Sequence, residues 1–581
     1  MKRRVSYVLV AGCIWSVAGA ATAGQWPALK VAATDHGLVA TAADGAVAWR
    51  VRTPAPVVLE PTGDGSAVQL DNGYVIDALG RVLYRQHDTA GGLVPRNGPR
   101  GGGCPYWSTL AEVAPPTSGS QSNSHTVPLF DSQGNAWVFN TFIDTSGYSL
   151  QVRRSDGHAG TWGPLETISD TTNYVSGAQA TMDAADNITV VFRDIAANYD
   201  LYAMRYEPGS GWSGPDRIYS SAVFFQAIRV AADAQGNVVV VFDPWPGGAT
   251  TLWTIVYDAA SGTWGSASQV TPAGYDVILP TLTRNATGDA IYLTYLVLAG
   301  GSPGLYLHRF DSASLSWGPA QMLPGTGSAS YSIAAADSQF PATVNAAGEL
   351  TLFWQSEYPY AVYASRCDGG MLQSAHLLLP PGPDQADMEN FTHAASTEFG
   401  DALGVLTRYE GDAAIHFYAF RYRAGVGWDA AENPYTFTYN GTTRSRIAPY
   451  RGDYCMATFL APQDGTVQIT ARRYERSAWL GEVVDIPQSW ESYFPEVGCD
   501  SGEALLVFEA EELFGANFGI WGTWLRNLPG DLTDDGSVDL NDLAVLLAAY
   551  NRDQGGDVDG DGDSDLADLA LLLANYGGTC P

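Results

Sequence analysis

The sequence predicts a mainly β chain, a seven- or eight-bladed β-propeller followed by a small two-helix module at the C-terminus. Three observations carry that prediction. A turn marked by Gly or Asp returns with a period near 52 residues through the middle of the chain. Between successive copies lie four short stretches of alternating apolar residues, rich in β-branched and aromatic side chains. After Leu528-Pro529-Gly530 the text changes to two acidic loops, each running into an apolar helical segment.

Composition sets the outer limits. At 581 residues the chain is too long for one hydrophobic core unless it is built from repeats. With 46% hydrophobic, 12% aromatic and only 16% charged residues, it is a folding chain and not a disordered one. A formal net charge of −32 repels phosphate backbones and argues against nucleic-acid partners.

Residues 1–23 read as a secretory signal peptide. Lys2, Arg3 and Arg4 precede the apolar run Tyr7–Ala21, and Ala21-Thr22-Ala23 places small residues before a cleavage point after Ala23. The run is short for a membrane anchor and is broken by glycines, and no later stretch reaches about 18 continuous apolar residues. A secreted, extracellular chain without a membrane span is expected. Cys13 leaves with the signal, and the five remaining cysteines are too sparse for a disulfide framework, though one or two bridges stay open. Residues 24–104 hold hairpin-like runs at Val47–Val51 and Tyr74–Tyr84, which suit either an extra blade or a small β-module.

Residues 105–527 hold the repeat. Aligned on the turn residue, the copies fall at Gly134, Asp186, Gly236, Gly288, Gly348, Gly400, Gly452 and Gly502. A second mark recurs out of phase at Trp162, Trp212, Trp264, Trp317, Trp428 and Trp479. Four strands in about 50 residues make a propeller blade; solenoid repeats are shorter, and sandwiches need about 100 residues per unit. Eight turn copies favour eight blades, with seven left open. The last copy ends near Trp524, before its outer strand. Residues Tyr106-Trp107-Ser108 through Val113 read as that strand moved to the front, so the N-terminal strand would close the ring and remove the open sheet edges.

The segments Asp156 to Trp162, Asp258 to Trp264 and Asp311 to Trp317 resemble the Asp-box turns of sialidase-like propellers, one residue longer than usual. The resemblance implies a structural role: Asp closes the turn between third and fourth strands, and Trp packs between blades. The arginine triad and Phe-Arg-Ile-Pro segment of that family have no counterparts here, so sialidase activity is not expected.

In residues 528–581, one twelve-residue loop places Asp531, Thr533, Asp535, Ser537, Asp539 and Asp542 at positions 1, 3, 5, 7, 9 and 12. Twenty-six residues on, Asp557, Asp559, Asp561, Asp563, Asp565 and Asp568 repeat that arrangement. Both loops carry Gly at position 6, Gly536 and Gly562, which permits the sharp turn needed for one loop to surround an ion. Six to eight hard oxygens are what calcium takes, so two Ca2+ ions are expected. An ordinary acidic tail would scatter its carboxylates. The paired loop–helix units resemble a type I dockerin, which implies a module ordered by calcium that docks a cohesin-type partner. Positions 10 and 11 are Leu540-Asn541 and Leu566-Ala567, unlike that family's common pairs, so the class of cohesin is left open.

Ligand contacts are expected where second strands end. Arg193, Asp243, Gln355, Arg408 and Glu509 occupy aligned positions there, with Trp245 close by. Guanidiniums, carboxylates and aromatic faces on one rim suit a sugar, whose hydroxyls need paired donors and acceptors while its C–H face stacks on rings. The blander account is that strand ends are polar because they meet water. Asp194, Asp243, Glu357, Glu410 and Glu509 are the carboxylates from which a glycosidase would draw its acid–base pair. No nucleophile elbow, nucleotide loop or zinc spacing is present. Three functions fit: a secreted glycan-recognition propeller delivered by a dockerin in polysaccharide breakdown, a glycoside hydrolase or lyase on the same scaffold, and a cell-surface protein-interaction module.

Overall fold

The computed structural model describes the strands within residues 30–85 by their backbone, and residues 106–578 apart from short connecting segments, chiefly 119–123, 157–160, 170–174, 196–198, 246–249, 330–339, 357–360, 382–387, 391–393, 410–413, 438–444, 485–489, 513–516, 534–536, 553–555 and 559–563. Eight antiparallel sheets of four to six strands follow one another over residues 124–167, 175–219, 224–269, 276–322, 342–379, 388–437, 445–482 and 490–526. They are the blades of an eight-bladed propeller, which resolves the choice between seven and eight. The first strand of each blade lies against the first strand of the next, and the first blade lies against the eighth.

Ring closure follows the expectation. Residues Tyr106–Trp107 and Ala111–Ser118 pair with Asn517–Arg526 and complete the eighth blade. Ser108 N donates to Trp524 O at 2.7 Å, and Val113 and Ala114 are fully buried. The earlier strands form a three-stranded sheet over residues 30–52 and a four-stranded sheet over residues 59–85.

The repeat mark has a local cause. In four of the described turns the first residue's side chain accepts hydrogen bonds from the backbone two and four residues on, as an Asx turn does. Asp131 Oδ1 accepts from Gln133 N at 3.1 Å and Asn135 N at 2.9 Å. Asp183, Asp233 and Asn345 repeat both bonds at 2.8–3.0 Å. The fourth residue then takes a left-handed conformation, φ between 62° and 86° at Gly134, Asp186, Gly236, Gly288, Gly348 and Gly400. A hairpin of this kind needs that conformation, which is why Gly recurs there.

Packing between blades explains the rest of the pattern. Second strands are covered on both faces, so they read as unbroken apolar runs; Val238, Val239, Val240, Val241 and Phe242 are 0–1% exposed. Three tryptophans of the second mark reach the preceding blade. Trp212 meets Phe139 at 5.9 Å between ring centres, Trp428 meets Phe353 at 5.9 Å, and Trp162 lies against Gly522 of the eighth blade. Asp258 and Asp311 close their turns as the Asp-box resemblance implies, accepting from Ala260 N at 2.9 Å and Ala313 N at 3.2 Å. Hydroxyl latches tie neighbouring first strands, among them Thr181 Oγ1 accepting from Ala232 N at 3.1 Å and Thr281 Oγ1 accepting from Phe340 N at 2.7 Å. Cys367 is a buried free thiol, and Cys455 is buried as well.

The C-terminal segment forms two helices, Leu540–Ala549 and Leu566–Ala574. Asp539 and Asp565 cap them, and each cap is reciprocated by the carboxylate three residues on, a capping box. Among the described residues, no helix is long and apolar enough to cross a membrane.

Candidate functional site

The strand ends selected from sequence lie on the face where first strands begin and second strands end. First strands bulge there: pairing slips between Ser176 and Gln179, Phe225 and Ile228, Ile278 and Thr281, and Tyr493 and Glu496. A bulge leaves backbone groups outside the ladder, and a polar side chain on the opposite strand can satisfy them. Asp243 does so, its Oδ1 accepting from Ala227 N at 2.6 Å.

Arg193 bonds to two blades at once. Its Nε and Nη2 donate to Ser176 Oγ at 3.3 and 3.1 Å, and its Nη1 donates to Phe225 O in the next blade. Burial pulls its pKa down, while the charges of Asp243 and Tyr199 push it back up. Gly177, at φ 62°, lies against the guanidinium with no side chain between. Tyr199 takes φ 63°, a conformation that costs an aromatic residue and recurs at binding sites. Arg193, Tyr199 and Asp243 therefore form one cluster across the second and third blades. Asp194 lies beside it, across the hairpin from Asp200, and burial together with both carboxylates raises the pKa of Tyr202.

The other predicted contacts are separate from that cluster. Gln355, Arg408 and Glu509 belong to the fifth, sixth and eighth blades and are 1%, 1% and 3% exposed. Arg408 Nη1 donates to Pro380 O at 3.1 Å. Asp194 and Asp243 are each 2% exposed. The polarity of these strand ends thus goes into the seams between and within blades before it reaches solvent. Glu357, Glu410 and the side chain of Trp245 lie outside the described residues. Ser176 and Gly177 carried no sequence signal, because their role depends on where the bulge falls.

The C-terminal module has an internal symmetry with a 26-residue shift. Asn551 N donates to Ser564 O at 2.7 Å, and Gly577 N donates to Val538 O at 2.8 Å. Asp539 N and Asp565 N donate to Asp542 Oδ2 and Asp568 Oδ2 at 2.8 and 2.7 Å. Asp542 and Asp568 are fully buried, and each turns its other oxygen to the start of its own loop, accepting from Thr533 N at 2.8 Å and Val558 N at 2.5 Å. Among the described residues, no three His, Cys, Asp or Glu side chains converge as a metal cluster. Asp535, Asp557, Asp559, Asp561 and Asp563 lie outside them; Asp531, Thr533, Ser537, Asp539, Asp542, Asp565 and Asp568 lie within. The donor set is all oxygen, and loops closed by their last carboxylate fit a calcium ion in chemistry. Outward, the helices expose matched leucines: Leu540 and Leu566 at 69% and 67%, and Leu547 and Leu573 at 55% and 52%.

No protein-family model matches the chain, and no curated protein matches it in sequence. Solved structures resemble it remotely. An ulvan lyase of a polysaccharide lyase family is 12% identical, with 64% of this chain and 94% of that one covered at a TM-score of 0.38. A leech intramolecular trans-sialidase is 8% identical, covering 73% and 94% at 0.32. A post-proline cleaving enzyme from Rickettsia typhi is 9% identical, covering 67% and 58% at 0.40. At that distance they carry no argument about chemistry, which has to come from the site.

Proposed function

We propose that this chain is a secreted glycan-recognition propeller of polysaccharide breakdown, delivered to its place of action by a calcium-ordered, dockerin-like tail. The observation that carries the reading is the two-fold repetition of the tail. Two capped helices present matched leucine pairs to solvent, while the buried carboxylates of Asp542 and Asp568 close their loops. Leucines exposed in register on a small module support a role in docking a cohesin-type protein. Calcium would be held by the oxygen ligands of the two loops, and its charge would offset the concentration of carboxylates there.

For the propeller, the Arg193–Tyr199–Asp243 cluster supports the glycan reading. Arg193 and Tyr199, both half-buried, set a donor beside an aromatic residue held in a strained conformation, and the buried Asp243 supports them through its charge. A glycoside hydrolase or lyase is the second reading. The burial of Asp194, Asp243 and Glu509 to 2–3% exposure favours binding over hydrolysis, because a general acid has to reach the glycosidic oxygen of a polymer.

The deciding experiment incubates the mature chain with calcium and a panel of plant, algal and microbial polysaccharides. Retention on one of them without release of reducing ends or unsaturated products supports the reading. Product release replaces it with the enzymatic one. Calcium-dependent capture by a panel of cohesins tests the tail; absence of capture across the panel would remove the docking part.

A further inference from the structure

On the outer edge of the ring, away from the strand-end cluster, a groove of about 540 Å3 runs between the third and fourth blades. Asp258, Ser261, Thr263 and Gln269 line one wall, and Leu315 and Trp317 line the other. Leu315 is the anomaly. It holds φ 51° in the turn before Trp317, whereas the same place in the third blade is Gly262 at φ 69°. A branched side chain in the left-handed region is unfavourable, and glycine would remove the strain. The leucine lines the groove while its side chain also packs against the core of the third and fourth blades.

Trp317 adds a second observation: its indole Nε1 is buried and has no hydrogen-bond partner. Trp162 and Trp212 share that feature, so it marks this groove only in combination with the strained leucine. The chemistry of the walls defines the ligand class. Hydroxyls and an amide both donate and accept, and Ser261 Oγ and Thr263 Oγ1 already bond at 2.9 Å. Among the described residues no Lys or Arg lines the groove, and its histidine is occupied: His308 Nδ1 bonds to Gly318 O at 2.7 Å and Nε2 to Tyr295 Oη at 3.0 Å. With Asp258 present, an anionic sugar would meet a carboxylate and no cation to offset it.

We infer that the groove between the third and fourth blades is a separate binding site for a neutral oligosaccharide, with Leu315 and Trp317 as its apolar wall. This goes beyond the strand-end cluster and does not rest on it.

The test is titration calorimetry of the full chain with cellohexaose, laminarihexaose, xylohexaose and mannohexaose, with hexagalacturonate as the charged comparator. At least one neutral hexasaccharide should bind. Leu315→Gly and Trp317→Phe should each weaken it by about tenfold or more, in chains whose circular dichroism and cooperative melt show that the parent fold is kept. A merely structural Leu315 would give unchanged binding. The inference is overturned if no neutral hexasaccharide binds, if both variants bind as the parent does, or if only hexagalacturonate binds. It is overturned as well if Arg193→Ala abolishes binding while the two groove variants retain it.

Discussion

Arg446 and Glu496 join the first strands of the seventh and eighth blades through a bidentate ion pair, Nε standing 2.9 Å from both carboxylate oxygens and Nη2 2.8 Å from Oε1. The arginine side chain is 2% exposed and the glutamate 13%. Such a pair is expensive to break from one side, because the remaining charge stays buried.

Arg446→Ala should therefore destabilise the propeller by about 3–5 kcal/mol. The double variant Arg446→Met with Glu496→Leu should recover most of that loss. Urea unfolding of the parent, the two single variants and the double variant measures the coupling. A single variant within about 1 kcal/mol of the parent would show that the pair does not hold the seam.

Gly288 tests the repeated turn. It has φ 74°, and a Cβ there would stand 2.8 Å from Ala234 N and 2.9 Å from Asp233 C in the neighbouring blade. Gly209, at φ 83°, has nothing within 4 Å. Gly209→Ala should cost only the conformational term, about 1–2 kcal/mol. Gly288→Ala should cost that plus an overpacking term of about 1–3 kcal/mol. Thermal melts of the two variants separate the contributions, and equal losses would refute the close approach between blades.

Ring closure can be tested by truncation. Deleting residues through 118 removes Val113 and Ala114, both fully buried, and leaves the strand Asn517–Arg526 without its outer neighbour. The truncated chain should melt well below the parent and self-associate through the open edge. Light scattering and calorimetry read both effects; a monomer melting like the parent would refute the closure.

His308 gives a pH signature. Because Gly318 O can only accept, Nδ1 carries the proton and the neutral ring's Nε2 accepts from Tyr295 Oη. Burial lowers the histidine's pKa, so the folded state binds its proton less readily than the unfolded chain. Its contribution to stability is full above the unfolded value of about 6.5 and declines as pH falls below it. Melting temperature should drop between pH 7.5 and pH 5, and less steeply in His308→Gln. Identical slopes would exclude His308 as a source.

If the tail holds calcium as proposed, removing the ion should affect the tail alone. Asp531→Ala combined with Asp557→Ala should abolish calcium-dependent ordering of residues 528–581 and leave the propeller's melting unchanged. Circular dichroism and calorimetry with and without chelator report the two parts. Simultaneous loss of both would end the division into modules.

Much of the fold was legible because the same local problem is solved repeatedly. An Asx-type turn followed by a left-handed residue favours Asp or Asn, then Gly, and that pairing recurs at fixed places in most of the described blades. The Trp mark was equally legible, since each blade offers its neighbour the same apolar face. Strand-end polarity was visible as well, but its purpose was not. Asp243 faces a bulge whose position is a matter of strand register, and Arg193 bonds to Phe225 O, a carbonyl in another blade. Leu315 could have been noticed against Gly262 in the aligned turns, yet its groove exists only once two blades stand side by side.

The sequence by itself determined the blade period, the turn chemistry, the displaced closing strand and the duplicated loops of the tail, because each depends on backbone preferences and side chains within a few residues. Only the tertiary structure decided the number of blades in the ring, which strand-end residues are buried, and which of them meet across a seam. Those depend on contacts between segments about fifty residues apart or more, where the need to satisfy buried polar groups outweighs local preference.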